Sequence, residues 1–187
     1  MEERDYKQSL EQFFIQEEKR AFVAARLSLS NDEDALDAVQ DAMMAMVRRY
    51  ASRPEAEWRP LFYRILHNRI KDIKRKRGFR SWCRRMFGLD QGEGSGDETP
   101  PMERGVKDPG AADPEHELIM KDDLLRIRAA LARLPERQRQ VFIMRTWLDM
   151  TIKETAAAAG CSVGSVKSHY HRALTSLRKM LAVPDAK

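Results

Sequence analysis

The feature that most limits the fold is a stretch in the middle of the chain, from Gly88 to Pro114, that has almost nothing to bury. It holds six of the nine glycines and four of the eight prolines. Such a composition cannot offset the conformational entropy of ordering the backbone, and it is typical of a linker. The chain of 187 residues is therefore predicted to form two small modules, at residues 1–87 and 115–187, joined by a linker at 88–114.

Charge is distributed unevenly between these parts. The formal net charge is +5 at pH 7. The linker is acidic, whereas residues 69–85 carry nine Lys and Arg against one Asp, and residues 126–181 carry eleven against three acids. Clustered basic charge favours an anionic partner such as nucleic acid. The acidic linker is a solvated spacer, a segment that lies in a basic channel of a partner, or a cover for a basic surface of the same chain.

Hydrophobic periodicity predicts an all-α fold on both sides of the linker, because apolar residues recur every three or four positions and strand-like alternation is absent. The first module should contain one or two opening helices ending near 28–31, a helix beginning at Asn31 or Asp32, and a helix over about 58–76. The middle helix has one predicted apolar stripe: Leu36, Val39, Met43, Met46, Val47 and Tyr50. The second module should begin with a helix over 118–134 that turns four residues inward: Leu124, Ile127, Leu131 and Leu134.

The end of the second module has the pattern of a helix-turn-helix. Ala156 and Ala159 allow two helices to approach closely, Gly160 permits a left-handed turn, and Ser162 can cap the next helix. Val166 should face inward. The solvent side is predicted to carry donors suited to phosphates and base edges, namely Ser165, Lys167, Ser168, His169, His171 and Arg172. The alternative is a helical hairpin with a solvated basic face.

The third helix of the first module combines aromatic, amide and basic residues in the segment WRPLFYRILHNRIKDIKRKR. Aromatic rings can stack on unpaired bases, and a basic tail can hold backbone phosphates. Phe62 has the spacing of a core residue. We therefore predict base contacts for Trp58 and Tyr63, and phosphate contacts for residues 75–77.

The middle helix carries an acidic stripe at Asp34, Asp37 and Asp41, with Gln40 beside it. Stripes of this kind are usually solvated surface. In a basic protein, however, the stripe would repel DNA and can face a basic protein partner instead.

Signals for catalysis are missing from the sequence. It has no phosphate-binding loop, no metal-ligand cluster and no nucleophile with a placed histidine, so we expect neither an enzyme nor a cofactor or metal. It has no apolar run long enough to span a bilayer and no secretory signal. A cytoplasmic protein without membrane insertion is therefore expected.

Three segments together resemble the extracytoplasmic-function group of bacterial RNA polymerase sigma factors. DALDAVQDAMMAM (34–46) resembles the helix with which that group binds core polymerase. FYRILHNRIKDIKRKR (62–77) resembles its −10 recognition helix, with Asn68, Asp72 and Arg75 at the family's spacing. Residues 134–174 resemble its −35 domain, although His169 and Tyr170 replace a common Arg-Leu pair.

The resemblance implies a role for each feature. Core polymerase would be bound through its clamp and flap region, with the clamp contacting Asp34, Asp37, Gln40 and Asp41. The −10 element would be taken by the third helix and by the loop at 51–57 before it, which would trap an extruded base, with Asn68, Asp72 and Arg75 at the family's positions. Trp58, Tyr63 and Lys76 are the other −10 contacts, predicted from the residues themselves. The −35 element would be read by Ser165, Lys167, Ser168, His169, His171 and Arg172. Promoter DNA and an anti-sigma factor would be the other partners.

One alternative of a different class stays open at this point. A helix-turn-helix repressor or activator would use the first module for dimerisation or sensing and would bind duplex DNA without polymerase. An enzyme acting on nucleic acid would need a nucleophile or a metal site that the sequence does not offer.

Overall fold

The structure is a computed structural model that describes residues 3–29, 31–50, 53–86 and 125–182, with side chains for 8–79 and 125–182 apart from 30, 51 and 52. The predicted linker and the beginning of the helix predicted at 118 lie outside the described residues. All regular elements within the described ranges are helical, which confirms the predicted all-α class.

Three long helices form the first module: α1 (Glu3–Arg26), α2 (Asp32–Tyr50) and α3 (Glu55–Met86). The Asn31 side chain accepts a hydrogen bond of 2.7 Å from the Glu33 amide, so this residue caps α2 as predicted. The opening segment is a single helix. The third helix extends ten residues beyond its predicted end at 76, because Gly78 alone, at about 1 kcal/mol in a helix interior, does not stop it.

Small residues and aromatic rings build the core of this module. Alanines of α1 and α2 are fully buried, which brings the two helices close together. Phe13 meets Trp58 and Phe62 edge-on, at centroid distances of 5.8 Å in both cases. The predicted stripe of α2 was partly wrong, because Leu36 and Val47 are exposed, and alanines at 35, 38 and 42 supply the buried surface in their place.

Residues 125–182 of the second module form four helices: α4 over 125–133, α5 (Glu136–Phe142), α6 (Ile152–Ala159) and α7 (Val163–Leu181). A π-helical turn, Ile143–Trp147, continues α5. Leu131 and Leu134 are buried as predicted, whereas Ile127 is exposed, and Leu124 lies outside the described residues. Ile127 was misplaced because Ala130 takes the inward position on that turn of α4.

The two modules pack against each other. Residues of the π-helical turn and of α6 belong to the same apolar cluster as the core of α1, α2 and α3. No helix within the described ranges is long and apolar enough to cross a membrane.

Candidate nucleic-acid interface

The turn between α6 and α7 has the backbone geometry that its sequence predicts. Thr151 and Glu154 form a reciprocal capping box at the beginning of α6, and the Ser162 hydroxyl accepts the Ser165 amide at 3.1 Å to begin α7. Gly160 is left-handed, with φ of 64°. Val166 is 1% exposed and packs with Val141 and Ala156. The helix-turn-helix geometry is therefore confirmed.

The outer side of α7 is basic and open to solvent. The predicted contacts Lys167, Ser168, His171 and Arg172 are exposed, whereas Ser165 and His169 are half-buried. The Ser165 hydroxyl is engaged with Ser162 at 2.9 Å, so this residue also shapes the start of the helix. Tyr170 stacks on Phe142 at a centroid distance of 6.3 Å, which fixes the rotation of α7 about its axis.

A second candidate surface surrounds an open cavity of about 490 Å³ beside α3. Asn68 lines this cavity. The volume of the cavity is suited to a small planar group. The rest of the lining comes from the end of α2, the turn after it, the first turns of α3 and one residue of α6, and includes Tyr50, Arg53, Glu57, Leu61, Arg64, Ile65 and Ala157.

The prediction that Trp58 and Tyr63 contact bases was wrong for this conformation, because both are only 2% exposed. The Trp58 indole donates to the Arg53 carbonyl at 2.8 Å. The Tyr63 hydroxyl donates to Glu17 at 2.6 Å, and burial together with that carboxylate raises the pKa of Tyr63. Both side chains instead contact α1, where the Trp58 ring meets Phe13 edge-on and the Tyr63 hydroxyl reaches Glu17, so they stabilise the core.

The remaining predicted −10 residues continue along α3. Asp72 is half-buried and pairs with Arg75 at 3.2 Å, while Arg75 keeps 78% of its side-chain surface exposed. Lys76 is exposed as well. The basic side chains of Arg75 and Lys76 are suited to a phosphate backbone that passes the cavity.

Two residues that the sequence reasoning missed line the cavity with Asn68, namely Tyr50 and Arg64. A helical-face count could have found Arg64, which lies four residues before Asn68 on α3. Tyr50 and Arg53 flank the turn from α2 to α3, and only the tertiary fold brings them to α3.

Some residues of the acidic stripe of α2 are paired with basic side chains, and others are exposed. Asp34 forms an ion pair with Arg77, and Asp41 lies 3.9 Å from Arg69. Asp37 and Gln40 are exposed between them. Leu36, Met44 and Val47 are each more than 40% exposed on the same helix. A helix face that mixes carboxylates with exposed apolar side chains is suited to a protein partner.

The described residues contain no group of three or more His, Cys, Asp or Glu side chains that could hold a metal ion.

The family described as Sigma-70 region 2 matches residues 17–80, and the family described as Sigma-70, region 4 matches residues 124–177. The chain belongs to the sigma-70 family. Region 2 contains the acidic face of α2 and the cavity beside α3, and region 4 contains the helix-turn-helix. From here on, the first module is called region 2 and the second region 4.

Curated relatives resemble the chain over a part or over most of its length. It is 50% identical over 52 residues to the RNA polymerase sigma-E factor of Streptomyces coelicolor, covering 28% of this chain and 29% of that protein. It is 28% identical over 169 residues to the RNA polymerase sigma factor NccH of Alcaligenes xylosoxydans xylosoxydans, covering 89% and 84%. The chain spans about a third of the first group of relatives it matches.

A solved structure shares the fold. The sigma factor RpoE of Bartonella quintana, in complex with the anti-sigma factor NepR, aligns with a TM-score of 0.64 and 24% identity, covering 95% of this chain and 99% of that one. The likeness therefore includes both regions.

Proposed function

We propose that this protein is an alternative sigma factor that binds core RNA polymerase and directs it to promoters with defined −10 and −35 elements. The observation that carries the proposal is the presence, on one sigma-70 chain, of two separate surfaces suited to DNA and a third suited to protein. A helix-turn-helix repressor needs only the outer side of α7 to bind duplex DNA, and leaves the cavity beside α3 without a role in binding DNA.

The cavity beside α3 is proposed to hold a base extruded from the −10 element. Asn68 offers an amide to the edge of a base, and Arg64 offers a guanidinium at the same wall. Arg75 and Lys76 would hold neighbouring phosphates. Contacts in the cavity offset part of the free energy of unstacking, which assists melting of the duplex.

The outer side of α7 is proposed to read the −35 element in the major groove. Lys167 and Arg172 are long donors on the exposed face, and Ser168 and His171 lie beside them. The protein itself makes and breaks no covalent bond in this role.

Core polymerase is proposed to contact the face of α2 formed by Asp37, Gln40 and Asp41 through its clamp, and region 4 through its flap. An anti-sigma factor is proposed as a further partner, by analogy with the Bartonella quintana complex. The proposed domain limits are 1–87 and 115–187, with the linker at 88–114, and the proposed place of action is the cytoplasm.

The test is transcription by purified core polymerase and this protein on genomic DNA, with the transcript starts mapped by sequencing. Discrete starts that share upstream motifs are expected. Tight binding of the protein alone to palindromic duplexes, with no effect on polymerase, would instead support a repressor or activator.

The docking surface has its own variant. Asp37→Lys with Asp41→Lys should weaken polymerase binding by about 100-fold or more, since like charges at a contact cost several kcal/mol. Glu11→Lys with Glu18→Lys makes the same change in net charge on the exposed side of α1 and should leave binding unchanged. If both variants bind core polymerase with equal affinity, α2 is not the helix that binds polymerase.

A further inference from the structure

The buried stripe of α7 is narrow, and an aromatic residue lies at its edge. Val166, Ala173 and Leu177 are buried, and at about 100° per residue they fall within about 40° of one another around the helix. Tyr170 is half-buried and lies about 60° around the helix from the exposed Lys167. Tyr170 therefore lies between the core of region 4 and the side of α7 that is proposed to read DNA.

Three contacts join Tyr170 to α5 and to the π-helical turn. The Tyr170 ring stacks on Phe142 at a centroid distance of 6.3 Å, with 25° between the ring planes. The guanidinium carbon of Arg145 lies 6.0 Å from the centroid of the Tyr170 ring, and the Tyr170 hydroxyl is 3.3 Å from the Thr146 hydroxyl. The two ring contacts are the stronger ones, because 3.3 Å is long for a hydrogen bond between two hydroxyls.

The Arg145 side chain links this cluster to α6. Its guanidinium donates to the backbone carbonyl of Met150, and the next residue, Thr151, caps α6. Arg145 itself belongs to the π-helical turn, a rare conformation that is frequent at functional sites. The ring of Tyr170 is therefore held by α5 and the π-helical turn, and is linked through Arg145 to the beginning of α6.

The rotation of α7 about its axis determines which of its donors reach a base edge. The ends of side chains lie about 5–6 Å from a helix axis, so a rotation of about 20° moves them by about 2 Å. A hydrogen bond to a base edge accepts a range of only about 0.5 Å, whereas a flexible lysine can follow a phosphate over a wider range. A small rotation therefore changes base preference and leaves the charge that faces DNA unchanged.

We propose that Tyr170 is a positioning residue for sequence recognition by region 4. Through its ring contacts with Phe142 and Arg145 it sets the rotation of α7, and thereby the base pairs that Lys167 and its neighbours prefer. The inference rests on the proposed reading of duplex DNA by α7, and it does not require the recruitment of polymerase. Tyr170 is also one of the two positions at which this chain departs from the common Arg-Leu pair.

The test is the base preference of the full-length protein, with a library of random duplexes as the probe, in the presence and in the absence of core polymerase. Binding of the selected sequence is then measured with each single base-pair substitution. A substitution that weakens binding of the unchanged protein by about tenfold, a usual effect of one mismatched base pair, should weaken binding of Tyr170→Leu by about threefold or less. Affinity for random duplex and its dependence on salt should stay the same, because the phosphate contacts are retained.

Three further variants separate positioning from other roles. Phe142→Leu removes the ring on which Tyr170 stacks without changing α7, and it should alter base preference in the same way; it carries the same test if Tyr170→Leu does not fold. Tyr170→Phe keeps the stacked ring and should keep the preference of the unchanged protein. Leu181→Ala removes apolar packing at the other end of α7, and it should lower the midpoint of thermal unfolding while leaving base preference unchanged.

Two results would overturn this inference and leave the proposed function intact. One is the same base preference for Tyr170→Leu, Phe142→Leu and the unchanged protein. The other is a changed preference for Tyr170→Leu alone, which would make Tyr170 a direct contact to DNA.

Other results bear on the proposed function as well. If the unchanged protein selects no sequence with or without polymerase, α7 reads no bases, and the proposed reading of the −35 element fails together with this inference. A changed preference in both Tyr170→Leu and Phe142→Leu, in a protein that polymerase does not bind, would support the inference and remove the sigma-factor proposal instead.

Discussion

The two helices with surfaces suited to DNA, α3 and α7, differ in how far those surfaces are open to solvent. The outer side of α7 is open, with Lys167 and Arg172 in solvent, whereas the cavity beside α3 has a wall contributed by α6. Both helices have similar donor-rich sequences. The difference lies in what packs against them, so the availability of a DNA surface in this protein depends on the contact between the regions.

The packing of α3 against α1 depends most on Glu17. Removal of the Glu17 carboxylate should have the largest effect on stability. Glu17→Ala leaves the Arg59 guanidinium and the Tyr63 hydroxyl without their acceptor, and we expect the free energy of unfolding to fall by about 3–5 kcal/mol. Urea denaturation measures this change. Glu18→Ala, on the exposed side of α1, should stay within about 0.5 kcal/mol. A loss below about 1 kcal/mol for Glu17→Ala would mean that both donors reach water.

The outer side of α7 should bind DNA in the absence of polymerase. Lys167→Ala and Arg172→Ala should each weaken binding of the free protein to promoter duplex by about 1–3 kcal/mol if the residue contacts a base. Asn68→Ala should leave that binding unchanged and should weaken initiation only with polymerase present. If Asn68→Ala weakens duplex binding by the free protein as much as the α7 variants do, the cavity beside α3 is as open to DNA as the outer side of α7.

Random duplex DNA separates two roles for the α7 side chains. Losses that are equal on promoter and random duplex would show that Lys167 and Arg172 contact phosphates, because phosphate contacts carry no sequence information.

The contact between the two regions should weaken in acid. Burial lowers the pKa of His67 to about 4, although Glu136 acts in the opposite direction. The unfolded chain, with an ordinary pKa near 6.5, binds this proton more readily. The stabilisation is therefore complete above about pH 6.5 and is lost as the pH falls toward 4, by about 1.4 kcal/mol per pH unit.

Denaturation at pH 7.5 and pH 5.5 measures this effect, and His67→Gln should reduce the difference by about 1 kcal/mol. The groups that face His67 are Glu136 and Arg137 of α5, Lys71 and Lys74 of α3, and the neutral Gln140. The same pH difference in both proteins would show that His67 is solvated, and that the contact between the regions is looser than its packing indicates.

The smallest expected change lies in the turn that follows Leu148. Asp149 has a φ of 48°, a left-handed conformation that strains most side chains. Asp149→Gly should raise the free energy of unfolding by up to about 1 kcal/mol, and Asp149→Ala should lower it. Thermal unfolding of the two variants measures this. A loss of stability with glycine would show that the Asp149 side chain stabilises the turn.

Much of the fold followed from local signals. The Asn31 cap, the left-handed Gly160 and the Ser162 cap each depend on neighbours within a few residues, and such patterns are legible in sequence. The wrong predictions concern which side of a helix a residue occupies. Trp58 and Tyr63 have the composition of base-stacking residues, and nothing local tells an aromatic ring on the core side from one on the DNA side.

The sequence by itself determined that this chain is helical, that it carries a helix-turn-helix and that it has the acidic and basic segments of a sigma factor, because periodicity, caps and charge are properties of short segments. Tertiary structure alone decided that alanines bury α2 and leave Leu36 and Val47 exposed, and that Tyr50 and Arg53 meet Asn68 at one cavity. It also decided that Leu148 docks between α1 and α3. The physical reason is that burial depends on which surfaces meet, and residues distant in sequence supply those surfaces.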